Sequence, residues 1–287
     1  MHPMKENSAS LYSGEKDVEV YRIAQQNAIY NVYANRYLDE LFLSYDAPDV
    51  LDIGCSDGKN INLRLKGRSY HSLLGIDIDP DKIFLAKETF RDPRQSFAVL
   101  DVSDPGFQER LRAYLDQKKL EGFHIIHISS VLMHVGNPKT VLEILRSFLA
   151  PDGTLFIQDE DDGLNLAYPQ DDFFTDAFYL WEHSLESGDR YFARKLPGYL
   201  ADSGYHEIHL KSAGISSLDF PEEAREAFWD LYFNCDLWSA DSAAYFDNDE
   251  SLDKLSAYRV RHPSYRKAFI EGKYFILLGV FFLTAKK

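Results

Sequence analysis

Short apolar runs alternate with segments of helical spacing between residues 48 and 160. The runs are VLDIG, SLLGIDI, QSFAVLDV, FHIIHISSV and GTLFIQDED. Each of the first four is followed by a predicted helix, at residues 60–65, 81–90, 106–119 and 139–149. Because nearly every position within a run is apolar, each run is typical of a strand that a parallel sheet buries on both faces. The alternation therefore predicts a doubly wound α/β fold.

The rest of the chain departs from this alternation. An uninterrupted helical pattern near the amino terminus predicts one or two helices. We expect residues 16–46 to form a helical cap. Two more strands are predicted at 206–211 and 274–284, which brings the sheet to seven. We interpret residues 161–190 and 213–273 as insertions, the second of them helical, in a single domain that spans the chain.

Acidic residues outnumber basic ones, with 46 Asp and Glu against 31 Lys and Arg, for a net charge of −15. A field of this sign repels phosphate backbones and anionic lipids, which disfavours nucleic acid and membranes as partners. The apolar run at 274–285 is shorter than the roughly 20 residues of a transmembrane helix. The polar amino terminus lacks the features of an export signal, which favours a cytoplasmic protein. Cys55 and Cys235 have no metal-binding spacing, so no metal site is predicted.

The first apolar run ends in a glycine-containing turn. Asp52 and Gly54 close the predicted strand, and Gly58 leads into the helix. Two glycines at this spacing let the backbone turn sharply and approach a ligand, while the helix amino terminus offers free N–H groups. A dinucleotide site has a tighter Gly-x-Gly-x-x-Gly turn for the pyrophosphate, whereas here Asp57 occupies the turn. The sequence therefore predicts a polar ligand and disfavours a nicotinamide cofactor.

Acidic residues also end the next two predicted strands, Asp77 the second and Asp101 the third. A carboxylate at the position of Asp77 can accept hydrogen bonds from two adjacent ribose hydroxyls. The short side chain of Asp101, together with the next backbone N–H, can contact an adenine edge. Three such strand ends in register indicate a nucleoside-containing cofactor.

These motifs resemble those of the class I S-adenosylmethionine-dependent methyltransferases over residues 48–160. Asp52, Gly54 and Gly58 match the family's acid and glycine turn, with Ser56 at the place of its middle glycine. The resemblance implies S-adenosylmethionine as the cofactor and a mostly parallel, seven-stranded Rossmann-like sheet with the last strand antiparallel. It also implies that Asp77 binds the ribose.

The resemblance continues through the fourth strand, where FHIIHISSVLMHVGNP is similar to a family block that begins with Asp and ends with His. His124 stands where the family has Asp. His134 matches the terminal His and is the candidate general base, although a local packing role for this histidine is equally compatible with the pattern. The expected cofactor-binding residues are Asp52, Gly54, Cys55, Ser56, Gly58, Asp77, Ile78, Asp101, Val102, Ser129 and Arg22.

The cofactor's carboxylate needs a cationic or hydroxyl partner that the acidic turn cannot provide. Tyr12, Tyr21, Arg22 and Arg36 are the candidates near the amino terminus, and Arg22 is our choice among them. The sequence does not identify this partner further.

Small-molecule methylation is the leading hypothesis, because the chain is acidic and carries a large predicted cap. An RNA or protein methyltransferase would instead have a basic face or an open acceptor site. A non-catalytic S-adenosylmethionine-binding module would have a cap filled by its own side chains. The methyl-accepting atom stays open at this level, and the aromatic insertion leaves room for a homodimer.

Overall fold

The computed structural model of the protein describes residues 16–185, 188–234 and 246–287, with side chains from residue 26 onward apart from that of residue 223. Its strands are β1 Asp49–Ile53, β2 Ser72–Asp77, β3 Gln95–Val99, β4 Phe123–Ser129, β5 Leu149–Glu160, β6 Leu166–Tyr168, β7 His206–Ser216 and β8 Phe275–Lys286. They form one sheet, in which β3, β2, β1, β4, β5 and β8 are neighbours in that order.

The first five strands of the sheet pair in parallel, and β8 runs antiparallel to β5 and β7. The predicted mostly parallel sheet with an antiparallel last strand is therefore confirmed. The structure adds an eighth strand, β6, which also pairs with β8. Three partly exposed residues are too short a segment to show a strand pattern in sequence. Strand β7 also continues beyond its predicted end to Ser216.

The helices are α1 Lys16–Phe42, α2 Lys59–Leu65, α3 Pro80–Thr89, α4 Phe107–Lys118, α5 Pro138–Phe148, α6 Asp172–His183, α7 Leu196–Asp202, α8 Arg225–Tyr232 and α9 Asp249–Ile270. Two of the crossover helices begin with a side-chain cap followed by proline. Asp79 accepts from the first turn of α3, and Asn137 does the same for α5. Such caps satisfy N–H groups that have no partner within the helix.

Alternate strand residues face two separate hydrophobic cores. Val50 and Leu73 point to the side where α1, α2 and α3 pack, whereas Leu51 and Leu74 point to the side of α4, α5 and α7. This arrangement explains why the strands are apolar at nearly every position, because both faces of the sheet are covered. It also leaves the carboxyl ends of the strands as the edge where polar groups gather.

Aromatic side chains of α6, α8 and α9 pack against one another beyond the sheet. Phe173 stacks on Tyr258, Trp229 and Tyr265, with ring centroids 4.5, 5.7 and 4.3 Å away. The Trp229 indole N–H donates to His262 Nε2 at 2.8 Å. These rings form the interior of a helical cap, hereafter the aromatic cap. In the described part of the chain, no helix has the length and apolarity needed to cross a membrane.

Candidate active site

The turn after β1 adopts a left-handed backbone conformation at both glycines. Gly54 has a φ of 71° and Gly58 a φ of 77°, values that are costly for residues with a Cβ. The N–H groups of Gly54 and Cys55 donate to the carbonyl oxygen of Ile76 at 2.8 and 2.9 Å, which fastens the turn to β2. A Cβ at Gly54 would lie 2.3 Å from Val131 Cγ2, so the packing also requires glycine there.

Ser56, at the place of the family's middle glycine, also has a positive φ, of 50°. Its N–H donates to Asp77 Oδ2 at 2.8 Å, and the N–H of Asp79 donates to Asp77 Oδ1 at 3.0 Å. The Asp77 carboxylate thus joins the turn after β1 to the turn after β2. Each oxygen keeps a second lone pair, so both can accept further hydrogen bonds from a ligand.

The ends of β2 and β3 add an apolar surface and a second carboxylate. Ile78, next to Asp77, is 51 % exposed, whereas Val102 is buried. Asp101 Oδ1 accepts from the Ser103 N–H at 2.7 Å, which fixes the carboxylate at the start of the loop after β3. An exposed apolar side chain between two fixed carboxylates suits a ligand that has both a flat apolar face and hydroxyl or amino groups.

Asp52 belongs to a buried polar chain that crosses beneath this turn. Its Oδ1 lies 2.5 Å from His127 Nδ1, and His127 Nε2 lies 2.5 Å from Arg64 Nη1. Arg64 is 1 % exposed and also donates to Asn31 Oδ1 at 2.7 Å and to Gln158 Oε1 at 2.5 Å. Burial lowers the pKa of His127 below its usual value and lowers that of Arg64 to about 10. At neutral pH the histidine is therefore neutral and the arginine charged.

Cys55 lies in the same turn but is chemically quiet. Burial, followed by the nearby carboxylates of Asp52 and Asp77, raises the pKa of its thiol. A thiol that stays protonated is a poor nucleophile. The side chain therefore contributes shape to the turn.

A second polar cluster, which the sequence did not predict, lies at the carboxyl ends of β4 and β5. Glu160 Oε1 accepts from Tyr30 Oη at 2.7 Å, from Gln26 Nε2 at 3.1 Å and from Ser130 Oγ at 3.2 Å. Tyr30 is 3 % exposed and lies on α1. Burial, together with the charge of Glu160, raises the tyrosine's pKa well above its usual value, so its hydroxyl is a donor. Helix α1 is thereby tied across the end of β5.

Arg190 approaches this cluster from the loop before α7. Its guanidinium donates two 2.8 Å hydrogen bonds to Asp162, and its Nη1 lies 3.7 Å from Glu160 Oε2. Burial opposes the charged form, but the hydrogen bonds to Asp162 and the charges of Asp162 and Glu160 together outweigh it and raise the pKa of Arg190. We call Tyr30, Glu160, Asp162 and Arg190 the β5 cluster.

His134 ends a 3-10 turn, Leu132–His134, that follows β4. The side chain keeps an exposed edge, yet the surrounding atoms lower its pKa below the usual value. Burial is the main cause of the lowered pKa, while the charge of Glu160 raises it and that of Arg190 lowers it. The loop that carries Arg190 docks here, because the Asp189 N–H donates to the Met133 carbonyl at 2.9 Å.

Asp159 is the other unusual carboxyl at this end of β5. The residue is 0 % exposed, its Oδ1 accepts from the Glu160 N–H at 3.0 Å, and its Oδ2 has no partner among the described residues. Burial, followed by the charge of Glu160, raises the pKa of Asp159 well above its usual value.

The structure places the predicted residues in two neighbouring groups along the carboxyl edge of the sheet. The ends of β1, β2 and β3 carry Asp52, Gly54, Cys55, Ser56, Gly58, Asp77, Ile78, Asp101 and Val102. Ser129 ends β4, and His134 follows it. Arg22 lies in α1, but its side chain and that of Tyr21 are outside the described residues, as is the whole of Tyr12. Arg36 is exposed on α1.

His124, where the family has Asp, lies at the opposite end of β4. Its Nδ1 accepts from the Asp49 N–H at 3.1 Å, at the amino-terminal edge of the sheet. The departure from the family pattern therefore does not alter the carboxyl edge, where the turn after β1 lies.

Sequence reasoning missed Tyr30, Glu160, Arg190, Arg64 and His127. Glu160 could have been found, because it lies in the acidic end of the fifth predicted strand and strand ends face the crevice. Arg190 and Tyr30 reach the cluster from distant parts of the chain, and neither belongs to a local motif. His127 and Arg64 stand within a strand and a helix, where a polar residue signals burial only after the fold is known.

A cavity of about 650 Å³ lies away from these groups. It runs along α2 and the segment Thr89 to Gln95, which leads into the amino end of β3. Lys66, Arg68 and Arg94 are among its lining residues, and the residues predicted to bind the cofactor are not. The crevice at the carboxyl edge, where the motifs converge, is therefore the candidate active site.

Comparison with known proteins identifies the family of the chain. A family model described as a methyltransferase domain matches residues 26–209. The chain is similar to a structure from Bacillus halodurans C-125 described as a candidate methyltransferase, at 18 % identity and a TM-score of 0.52, covering 87 % of this chain and 98 % of that one. It is also similar to the [4+2]-cyclase SpnF, at 15 % identity and a TM-score of 0.51, covering 88 % and 81 %.

Similarities to solved structures at this level of identity show the fold alone, and a search of curated protein sequences found no match. The family model carries more weight, because it spans well over half of the chain and includes Asp77 and Asp101 at the ends of the second and third strands. The cofactor implied by the family is S-adenosylmethionine, and the fixed carboxylates of Asp77 and Asp101 fit its hydroxyl and amino groups. The chain belongs to the S-adenosylmethionine-dependent methyltransferases of class I.

Proposed function

We propose that the protein methylates a small molecule bound over the carboxyl ends of β4 and β5. The observation that carries the proposal is the cover over this edge. Tyr30 of α1 packs against Glu160 and is 3 % exposed, and the side chain of Arg190 is 18 % exposed. An edge over which α1 and the loop before α7 are packed suits a small acceptor better than a folded RNA or a protein surface.

In this proposal the first three strand ends hold the cofactor. Asp77 accepts from the ribose hydroxyls, Asp101 contacts the adenine edge, and Ile78 and Val102 flank the base. Arg22 pairs with the cofactor's carboxylate, because the turn itself is acidic. Further contacts come from the turn and the end of β4, namely Asp52, Gly54, Cys55, Ser56, Gly58 and Ser129.

When bound, the cofactor would supply an electrophilic methyl carbon on its sulfonium sulfur, and in-line attack by the acceptor on that carbon would release S-adenosylhomocysteine as the leaving group. The residues of this chain contribute mainly by holding the acceptor in attack geometry and by excluding water. His134 removes a proton from the acceptor where the nucleophile carries one. The lowered pKa of this histidine keeps it in the base form at neutral pH. The polar β5 cluster favours an acceptor with a polar group next to its nucleophilic atom.

Other functions are less well supported. The net charge of −15 and the covered β5 edge count against an RNA or protein acceptor. The aromatic cap is filled by its own rings, as a binding module's cap would be, but the β5 cluster lies outside that interior. One structural match is described as a cyclase, which illustrates that a fold alone does not specify a reaction.

The first experiment is isothermal titration of the protein with S-adenosylmethionine, S-adenosylhomocysteine and NAD as a control, beside the Asp77→Ala variant. Saturable binding of the adenosyl ligands that the variant loses supports the proposed cofactor site. The second step incubates the protein with methyl-tritiated cofactor and three pools: small metabolites, total RNA and total protein. Label in the metabolite pool supports the proposal, and label only in RNA or protein contradicts it.

A further inference from the structure

The protonation states in the buried chain beneath the cofactor turn follow from its geometry. Arginine nitrogens can only donate hydrogen bonds, so His127 Nε2, 2.5 Å from Arg64 Nη1, must be the acceptor. The ring proton then sits on Nδ1 and is donated to Asp52 Oδ1 at 2.5 Å. The histidine is therefore a neutral connector of fixed tautomer between a buried cation and the acid of the turn.

The cation at the base of this chain is held from several directions. Arg64 on α2 donates to Asn31 on α1 and to Gln158 on β5. Asn31 in turn donates to Asn60 Oδ1 at 3.1 Å, in the first turn of α2. The guanidinium therefore has a single orientation, and it transmits that orientation to the imidazole above it.

Asp52 has one oxygen engaged and one free. Within the described residues, Oδ1 bonds to His127 and Oδ2 has no hydrogen-bond partner. The side chain is 5 % exposed and stands at the end of β1, two residues before Gly54. One oxygen of this carboxylate is therefore left for another partner, and the carboxylate cannot rotate without breaking the bond to His127.

We propose that His127 and Arg64 are positioning residues for cofactor binding: they fix the Asp52 carboxylate so that its free oxygen faces the cofactor. The inference rests on the proposed placement of Asp52 in the cofactor site. It adds two residues, one in β4 and one in α2, that do not contact the cofactor themselves and act on it through Asp52.

Two amide variants test separately the two hydrogen bonds of the His127 ring, one to Asp52 and one to Arg64. In His127→Asn the amide nitrogen replaces Nδ1 and donates to Asp52, while the contact to Arg64 is lost. In His127→Gln the longer amide oxygen replaces Nε2 and accepts from Arg64, while the donor to Asp52 is lost. Both variants leave one polar group without a partner, so both are expected to lose thermal stability.

Titration with S-adenosylhomocysteine distinguishes positioning from a structural role. We expect His127→Asn to bind within about threefold of the unmodified protein and His127→Gln to bind about tenfold or more weakly, the scale of a lost hydrogen bond to a charged group. A matched control is His71→Gln. His71 Nδ1 lies 2.7 Å from Asp49 Oδ1, in a more exposed His–Asp pair at the other end of β1. This control should change the affinity less than twofold.

Equal affinities of the two His127 variants would overturn the inference. If His127 had only a structural role, the affinity of each variant would follow its loss of thermal stability. Nitrogen-15 spectra of the unmodified protein give a test that does not depend on variants. They should show a protonated Nδ1 that does not titrate near pH 6.5, and a protonated Nε2 contradicts the inference. If Asp52→Asn and Asp77→Ala both retain cofactor binding, the proposed cofactor site itself is contradicted.

Discussion

The hydroxyl of Tyr30 in α1 donates a 2.7 Å hydrogen bond to the carboxylate of Glu160 at the end of β5, across 130 residues of sequence. The next residue, Asn31, accepts a hydrogen bond from Arg64 beneath the turn after β1. Two adjacent residues of α1 therefore tie the helix to the β5 cluster and to the proposed cofactor site. The N-terminal helix is in this way part of the framework of the proposed active site.

Tyr30→Phe should destabilise the protein by about 1–3 kcal/mol, because a buried carboxylate loses a donor. Urea unfolding followed by circular dichroism measures the loss. Tyr37→Phe is the matched control, since Tyr37 lies on the same helix and packs on Phe282 through its ring. This control should change the free energy of unfolding by less than about 0.5 kcal/mol. Equal effects of the two substitutions would show that the bond to Glu160 adds nothing.

Asp77→Asn should weaken binding of S-adenosylhomocysteine by about tenfold or more, because the ribose loses a charged acceptor. Asp79→Ala serves as the control. Asp79 caps α3 through bonds to Asp81 and Lys82. Its loss should lower the free energy of unfolding by about 1 kcal/mol, with binding retained. Calorimetric titration of both variants checks the prediction, and equal weakening in both would contradict it.

Gly54→Ala and Gly67→Ala compare two left-handed glycines in different surroundings. Gly67 has a φ of 80°, and an added Cβ there would meet no described atom within 4 Å, so this substitution incurs only the backbone cost of about 1–2 kcal/mol. Gly54→Ala also places a methyl group 2.3 Å from Val131. We expect a further loss of about 1–3 kcal/mol from overpacking, together with weaker cofactor binding. Thermal melts with and without S-adenosylhomocysteine measure both effects.

Asp159→Asn should change how stability depends on pH. The raised pKa of Asp159 means that the folded protein keeps a proton that the unfolded chain releases near pH 3.8. The stability associated with this group is therefore complete below that pH and is lost as the pH rises through the folded pKa. Relative to the unmodified protein, the variant should gain stability between pH 4 and pH 8. Urea titrations across this range test it, with the exposed Asp202→Asn as control.

His134→Gln should remove the acidic limb of the pH profile of kcat/KM for an acceptor that must lose a proton. The lowered pKa of His134 keeps the imidazole neutral at pH 7, so activity of the unmodified protein should fall only below about pH 6.5. His183→Gln is the control, because His183 is exposed on α6 and its ring bonds to the Tyr179 carbonyl. An unchanged acidic limb in His134→Gln would rule out this histidine as the base.

The sequence alone was sufficient for the parallel core and for the acid-tipped turns. Residues within about ten positions of one another define those features, namely an apolar strand, a turn that needs a positive φ, and a capped helix. The positions of Gly54, Asp77 and Asp101 follow from strand ends that meet at one edge of a parallel sheet. The positive φ of Ser56 also fits its place in the family's turn.

The β5 cluster and the buried Asp52–His127–Arg64 chain were decided only by the tertiary structure. Glu160 meets Tyr30 and Arg190 because α1 and the loop before α7 are packed over the same strand end. His127 lies within an apolar strand and Arg64 within a short helix, and their partners lie on other strands and helices. A local pattern specifies which backbone segments form, but the pairing of buried polar groups depends on which segments become neighbours, because a buried charge is stable only where its partners converge.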